Sequence, residues 1–206
     1  MKGLLKKDLY MTWAYSKMFI VLLLFFFVLS FFVKDSLFFL AYPMIIVSML
    51  PVTMQSYDER FKWNVYCDAL PLTRAQVVSE KYLLSLLYCG AVLLLLGVVR
   101  GAVLLIQGQS AAFFDLLSVL ILFGFVGPAL ILPFIFAWGP EKGRLAYLIF
   151  IGAVCAATVL LMNRPLAQTE RFGSRPIDVL LALILGALVF AASWILSIRL
   201  YQKRAL

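Results

Sequence analysis

Long apolar runs separated by short polar breaks dominate this chain. A helix needs about 20 apolar residues to cross a hydrocarbon core. Six stretches come close to that length or exceed it: residues 17–33, 37–57, 82–106, 113–137, 145–162 and 177–198. The pattern predicts an all-α polytopic membrane protein with six transmembrane helices, forming a single transmembrane domain over residues 1–206. The second run carries Pro43 and Pro51 and is expected to kink, with neighbouring helices meeting the freed carbonyls. The fourth holds Gly124, Gly127, Pro128 and Pro133. The first ends in SFFVKDS without a small-residue cleavage site, so it is expected to remain as an anchor.

Two polar segments stand out from this background. Residues 1–16 read MKGLLKKDLYMTWAYS and place Leu5, Leu9 and Trp13 at four-residue spacing, with Thr12 beside them. Lys6, Lys7 and Asp8 lie mostly off that stripe. This is the pattern of an interfacial amphipathic helix, with a frayed basic N-terminus as the alternative. The second segment is 58–81, DERFKWNVYCDALPLTRAQVVSEK, between the second and third runs. Charges interleave there with Phe61, Trp63 and Tyr66. Pro71 breaks any helix, and Thr73 is placed to cap the next one. Aromatics and arginine dominate interface anchoring, so the segment suits protein docking. A membrane-surface linker with aromatics among the headgroups fits the same residues.

Composition agrees with the pattern. The chain is 65% hydrophobic, where a soluble domain is roughly half apolar, and its mean hydropathy is +1.03. Six spans within 206 residues leave no room for a sizeable soluble domain. The net charge of +8 is spread out, and no basic run resembles a nucleic-acid patch, so no nucleic acid partner is expected. The distribution of lysine and arginine sets the orientation. One side receives Lys2, Lys6, Lys7, Lys17, Arg60, Lys62, Arg74, Lys81, Lys142, Arg144, Arg199, Lys203 and Arg204. The other receives Lys34, Arg100, Arg164, Arg171 and Arg175. Both termini are therefore expected in the cytosol, although three arginines in the loop between the fifth and sixth spans run against the rule.

Catalysis is not expected. The chain has no histidine, which removes Ser-His and Cys-His nucleophile pairs and the HExxH zinc motif. Cys67, Cys89 and Cys155 are far apart and read as small apolar residues, so neither a disulfide framework nor a metal site is expected. No phosphate-binding GxxxxGK[ST] loop occurs. Within the predicted spans only Arg100 and Asp115 are prominent charges, each near a helix end where it can snorkel. They read either as an interfacial anchor pair or as groups facing a substrate path. Small residues at four-residue spacing mark packing faces: Gly152 with Ala156, Ala153 with Ala157, and Ala187 with Ala191.

The order of motifs around the polar segment resembles the permease subunits of ABC-2-type ATP-binding-cassette transporters. The resemblance covers nearly the whole chain. It begins with the basic-amphipathic start MKGLLKKDLY and the acidic pair ending the second span, Tyr57-Asp58-Glu59. The downstream aromatics Trp63 and Tyr66 follow, then the turn Leu70-Pro71-Leu72-Thr73-Arg74, and Lys81 opening the third span. The subgroup it is most similar to comprises permeases of Gram-positive peptide exporters, such as those for phenol-soluble modulins and lantibiotics. The resemblance implies that the N-terminal helix is an elbow helix on the cytoplasmic surface. It also implies a coupling helix in 58–81 that docks an ATP-binding-cassette ATPase subunit through Asp58, Glu59, Arg60, Phe61, Lys62, Trp63 and Tyr66, with Leu70, Pro71 and Arg74 forming the turn. Two permease chains, as a homodimer or heterodimer, would work with two ATPase chains in a bacterial cell membrane. The chain itself would hold no cofactor, ATP and Mg being held by the partner. The span 5–6 connection is about a dozen residues, shorter than in larger relatives, and re-entrant segments would require span 5 to break, for instance around Gly152.

The apolar spans, with scattered Ser48, Thr53, Gln55 and Ser56, and with Arg100 and Asp115 as the charged candidates, imply a translocation path suited to lipids or amphipathic peptides. The expected cargo is an amphipathic or hydrophobic peptide, exported. Two other classes remain compatible with the residues: a substrate-binding membrane subunit of a vitamin importer, and a structural or assembly protein of the membrane.

Overall fold

A computed structural model describes residues 2–15, 17–32, 37–68, 73–106, 108, 110–145, 148–149, 152 and 176–203. Helix makes up 96% of these and no strand occurs among them, which establishes the all-α class. In order, the helices are α1 (Lys2–Tyr15), α2 (Lys17–Phe32), α3 (Leu37–Ser48), α4 (Leu50–Arg60), α5 (Trp63–Asp68), α6 (Arg74–Ile106), α7 (Ser110–Trp138) and α8 (Pro176–Lys203). A short helical return follows α7 at 140–145. Three helices among the described residues are long and apolar enough to cross a membrane, within α6, α7 and α8. The expected first span coincides with α2, which at 16 residues rises about 24 Å. Most of the expected fifth span, and its connection to the sixth, lie outside the described residues.

The surface of these helices explains where the protein resides. Leu94, Val98, Leu180, Ile184, Leu188, Ile195 and many like them are exposed along α6 and α8. Contiguous apolar surface on that scale marks contact with a partner or a membrane. On helices of this length it faces lipid, and the protein is a membrane protein.

Proline positions shape the interior. The expected second span is two helices. Pro51 has no N–H to give to the carbonyl of Val47, and its ring clashes there, so the helix breaks at Met49 between α3 and α4. In α7, Pro133 likewise leaves the carbonyl of Ala129 without its helical donor. Ser193 of α8 supplies the missing bond: its Oγ donates to the Ala129 carbonyl at 2.5 Å. That bond orients a chain of hydroxyls. With the Ser193 proton committed, Tyr82 Oη donates to Ser193 (2.7 Å) and accepts from Ser197 (2.6 Å). Tyr82, buried on α6, thereby ties three helices together, and its ring stacks on Trp194 with centroids 5.5 Å apart and planes within 6°.

The α7–α8 seam is the most extensive packing in the molecule. Its α8 side is a stripe at helical spacing, Ala182, Gly186, Phe190, Ser193, Ser197 and Tyr201. Gly186 lets the helices close up, since a Cβ there would stand 3.1 Å from Phe125 Cβ. This stripe is rotated from the expected Ala187–Ala191 face. Ala187 is partly covered and Ala191 is exposed. Gly152 has open space around its Cβ position, and its expected partners lie outside the described residues.

Replacing Ser193 with alanine orphans the Ala129 carbonyl beside Pro133 and cuts the hydroxyl chain. The expected loss is about 1–2 kcal/mol, read as a lower thermal midpoint of the detergent-purified protein. Tyr82→Phe should lose a smaller amount, because its ring packing survives. Equal midpoints for wild type and Ser193→Ala would refute this role.

Candidate functional site

The polar end of the bundle is organised around one buried lysine. Lys81 lies on α6, about two turns from its start, and is only 1% exposed. An unpaired ammonium there would be expensive, so the surroundings supply carboxylates. Asp58, near the C-terminal end of α4, accepts from Lys81 Nζ through Oδ2 at 2.7 Å. Asp8 of α1 accepts from the same ammonium through its own Oδ2. Lys7, the neighbour of Asp8, donates to the other oxygen of Asp58 at 2.7 Å and stands 3.0 Å from Asp8 Oδ1, off the hydrogen-bonding direction. The result is a square of alternating charge, Lys81–Asp8–Lys7–Asp58, that joins α1, α4 and α6. Glu80 is also buried, with Oε2 3.8 Å from Lys81 Nζ.

Burial on its own would raise the Asp8 carboxyl. The Lys81 charge, the Glu80 carboxyl beside it and the Lys7 charge outweigh that and hold it below the ordinary carboxylate range. Its contribution to stability is therefore present above the ordinary carboxylate pKa and is lost as pH falls through the depressed native value.

Further contacts extend the square in both directions. One turn along α1, Thr12 donates to the Asp8 carbonyl at 2.7 Å and accepts from Tyr88 Oη of α6. Toward the segment after α4, Lys7 Nζ sits 4.3 Å from the centroid of the Trp63 ring, a cation–π contact. Between α4 and α5 the chain reverses through Lys62, whose φ of 55° is in the left-handed region. Its N–H donates to the Glu59 carbonyl at 3.1 Å, and the Phe61 N–H donates to that of Tyr57 at 3.0 Å.

This reversal gives the segment two faces. Asp58 and Cys67 point inward and are buried, and Glu59 and Trp63 are partly covered. Arg60, Phe61, Lys62 and Tyr66 face outward, with Phe61 64% and Tyr66 58% exposed. The Asp58 carboxylate is thus spent inside the chain. Leu70 and Pro71 lie outside the described residues. Arg74 opens α6, reaching the Gln202 carbonyl of α8 at 3.4 Å. The expected cap is present as a reciprocal box: Thr73 Oγ1 accepts from the Gln76 N–H at 3.3 Å, and Gln76 Oε1 accepts from the Thr73 N–H at 3.0 Å.

The candidate path residues fall into two kinds. Ser48, Thr53 and Ser56 each donate back to the carbonyl four residues earlier, to Met44, Met49 and Val52. Gln55 is buried, and its Oε1 has no hydrogen-bond donor. Asp115 is half-buried on α7, with Oδ1 likewise without a donor among the described residues. Arg100 lies on α6, and its side chain, with the expected pairing to Asp115, is outside the described residues.

Sequence reasoning picked out Lys81 and Asp58 but set Asp8 and Lys7 aside as off the apolar stripe of α1. The stripe packed into the chain is Leu4, Asp8 and Thr12, whereas Leu9 and Trp13 are exposed. The four-residue spacing of Leu4, Asp8 and Thr12 was the available signal. It reads as a packing face only if a charge is allowed to be part of one.

A bundle of lipid-facing helices, with one end tied by charges and an aromatic segment projecting from it, defines a membrane component with an organised polar end. The chain belongs to the ABC-2 family of transporter proteins, whose family model matches residues 3–202. No curated protein and no solved structure matches it. It is accordingly the membrane permease component of an ABC transporter, a component that is not itself catalytic and that implies a separate ATPase partner.

Removing Lys81 alone leaves two carboxylates buried without their shared cation. Lys81→Met should cost about 3–5 kcal/mol, seen as a large drop in thermal midpoint. Asp8→Asn with Asp58→Asn and Lys81→Met together should recover part of that loss, because the buried carboxylates are then gone and only Lys7, 23% exposed, is left without them. A single Lys81→Met variant as stable as wild type would refute the role of the square.

Proposed function

We propose that this chain is the permease of an exporter for amphipathic or hydrophobic peptides, driven by an ATP-binding-cassette ATPase that docks on the coupling segment. The observation that carries the reading is the two-faced reversal at Asp58–Tyr66. One face is keyed into the ionic square, and the other projects Arg60, Phe61, Lys62 and Tyr66. A docking element needs both an exposed anchor surface and a rigid seat that passes motion onward. Glu59 and Trp63 sit between the faces and transmit rather than dock. In this reading α1 is the elbow helix on the cytoplasmic surface, and both termini are cytosolic. Six spans per chain and a dimer of permeases complete the assembly, in a bacterial cell membrane. ATP-driven closure of the ATPase pair shifts the coupling segments, and the square carries the shift to α1 and α6.

The nature of the spans supports an apolar cargo. The hydroxyls of Ser48, Thr53, Ser56, Ser85 and Ser118 all return to carbonyls of their own helices. That leaves the described interior less polar than its composition. Such a lining cannot replace the hydration of an ion or sugar, but it accommodates the apolar face of a peptide.

The docking surface is tested by Phe61→Ala with Tyr66→Ala. Both side chains are exposed, so stability should hardly change, while affinity for the ATPase subunit should fall at least about tenfold. Undiminished co-purification of the ATPase subunit with this double variant would overturn the docking assignment. Cargo is tested in vesicles containing both subunits. Amphipathic peptides should stimulate ATP hydrolysis and small polar solutes should not, and the opposite pattern would exclude a peptide exporter.

A further inference from the structure

On the side of α4 away from the ionic square lies a cavity of about 470 Å³ lined by Met49, Thr53, Ser56, Tyr57, Arg60 and Arg144. Five of these lie on α4 and the residue just before it, at the spacing of a single helical face. The sixth comes from the return after α7. Gly139, with φ of 86°, turns the chain, and Gly143 packs so tightly on α7 that a Cβ there would stand 2.8 Å from Ile135 Cγ1. Backbone geometry, rather than a flexible loop, therefore aims Arg144 at α4.

The contacts of Arg144 are unusual for a partly buried cation. Its Nη2 donates to Ser56 Oγ at 3.1 Å and reaches Thr53 Oγ1 at 3.5 Å. Both hydroxyls have committed their protons to helix carbonyls, so they serve the guanidinium as neutral acceptors. Arg60 brings a second guanidinium to the same cavity. Among the described residues no carboxylate lines it: Asp58 is turned into the square, Glu59 lies off the lining face, and Glu141 is exposed outside it. Two planar forks and the Tyr57 phenol line this open space, with no carboxylate among the described lining residues, and their chemistry suits a phosphate group.

We propose that this cavity binds a phosphate-bearing anion, supplied by the headgroup of an anionic lipid or by free phosphate. Met49 at the lining gives the glycerol side of a lipid headgroup an apolar contact that free phosphate would not use. The proposal does not depend on which cargo the permease moves. It would make the α4–α7 contact, and so the seat of the coupling segment, responsive to the anion.

The test uses the full chain purified in phosphate-free maltoside micelles, with thermal midpoint and retention in native mass spectrometry as readouts. Phosphatidylglycerol and inorganic phosphate are added separately. A response to phosphatidylglycerol alone identifies the headgroup as the source, and a response to inorganic phosphate identifies the free anion. Either response should weaken at least about tenfold in Arg60→Gln and in Arg144→Gln. Arg144→Lys should bind with intermediate strength, keeping the charge but losing the fork. Arg60 is exposed, so its variant keeps the test meaningful even if Arg144→Gln folds poorly. The proposal is overturned if neither probe acts on the wild-type chain, or if the response is unchanged in both glutamine variants. It is equally overturned if only an amphiphilic peptide acts.

Discussion

Everything at the polar end of this permease follows from the cost of placing an ammonium where water does not reach. Lys81 is buried on a helix that continues into the membrane, so it must be met by carboxylates from elsewhere in the chain. Asp58 and Asp8 come from two different helices, and Lys7 closes the charge balance. The requirement therefore fixes α1 and α4 against α6 more firmly than apolar packing would, because slippage of either helix strands a charge. The segment proposed for docking begins where this constraint ends, directly after Asp58. Its outward aromatics are placed by an electrostatic necessity inside the chain.

A second constraint operates toward the middle of the bundle. In the absence of water each carbonyl freed by a proline needs another donor. Ser193 answers Pro133, and the hydroxyl chain through Tyr82 and Ser197 spreads that answer over α6, α7 and α8. Tyr82 is next to Lys81 on α6. Adjacent residues thus link this helix to α1 and α4 by ion pairs, and to α7 and α8 by hydroxyls. A displacement of α4 has a short route through these two residues into the membrane helices.

The all-helical class and the three long apolar helices α6, α7 and α8 were legible because apolar run length is a direct physical requirement of the bilayer. The α3–α4 break was legible in Pro51, and the α6 start in Thr73 and Gln76. Asp58 and Lys81 were legible as parts of a family pattern, but their contact was not, since it joins positions on separate helices. Asp8 was hidden for a physical reason. Amphipathic reading assigns charges to the wet face, whereas here the charge is what the packed face requires. Arg144 was equally hidden, because its position depends on the Gly139 turn and the tight Gly143 contact, which exist only in three dimensions.

In the proposed assembly the ionic square seats the docking segment. That dependence is tested most directly by the affinity of the permease for its ATPase subunit after Asp8→Asn, a change on α1 that is buried and not part of the outward face. Weakening by several-fold is predicted, because Lys81 and Lys7 lose a shared partner and the segment after Asp58 loosens. An affinity equal to wild type, in a folded variant, would contradict the claim and reduce the square to a purely structural clasp.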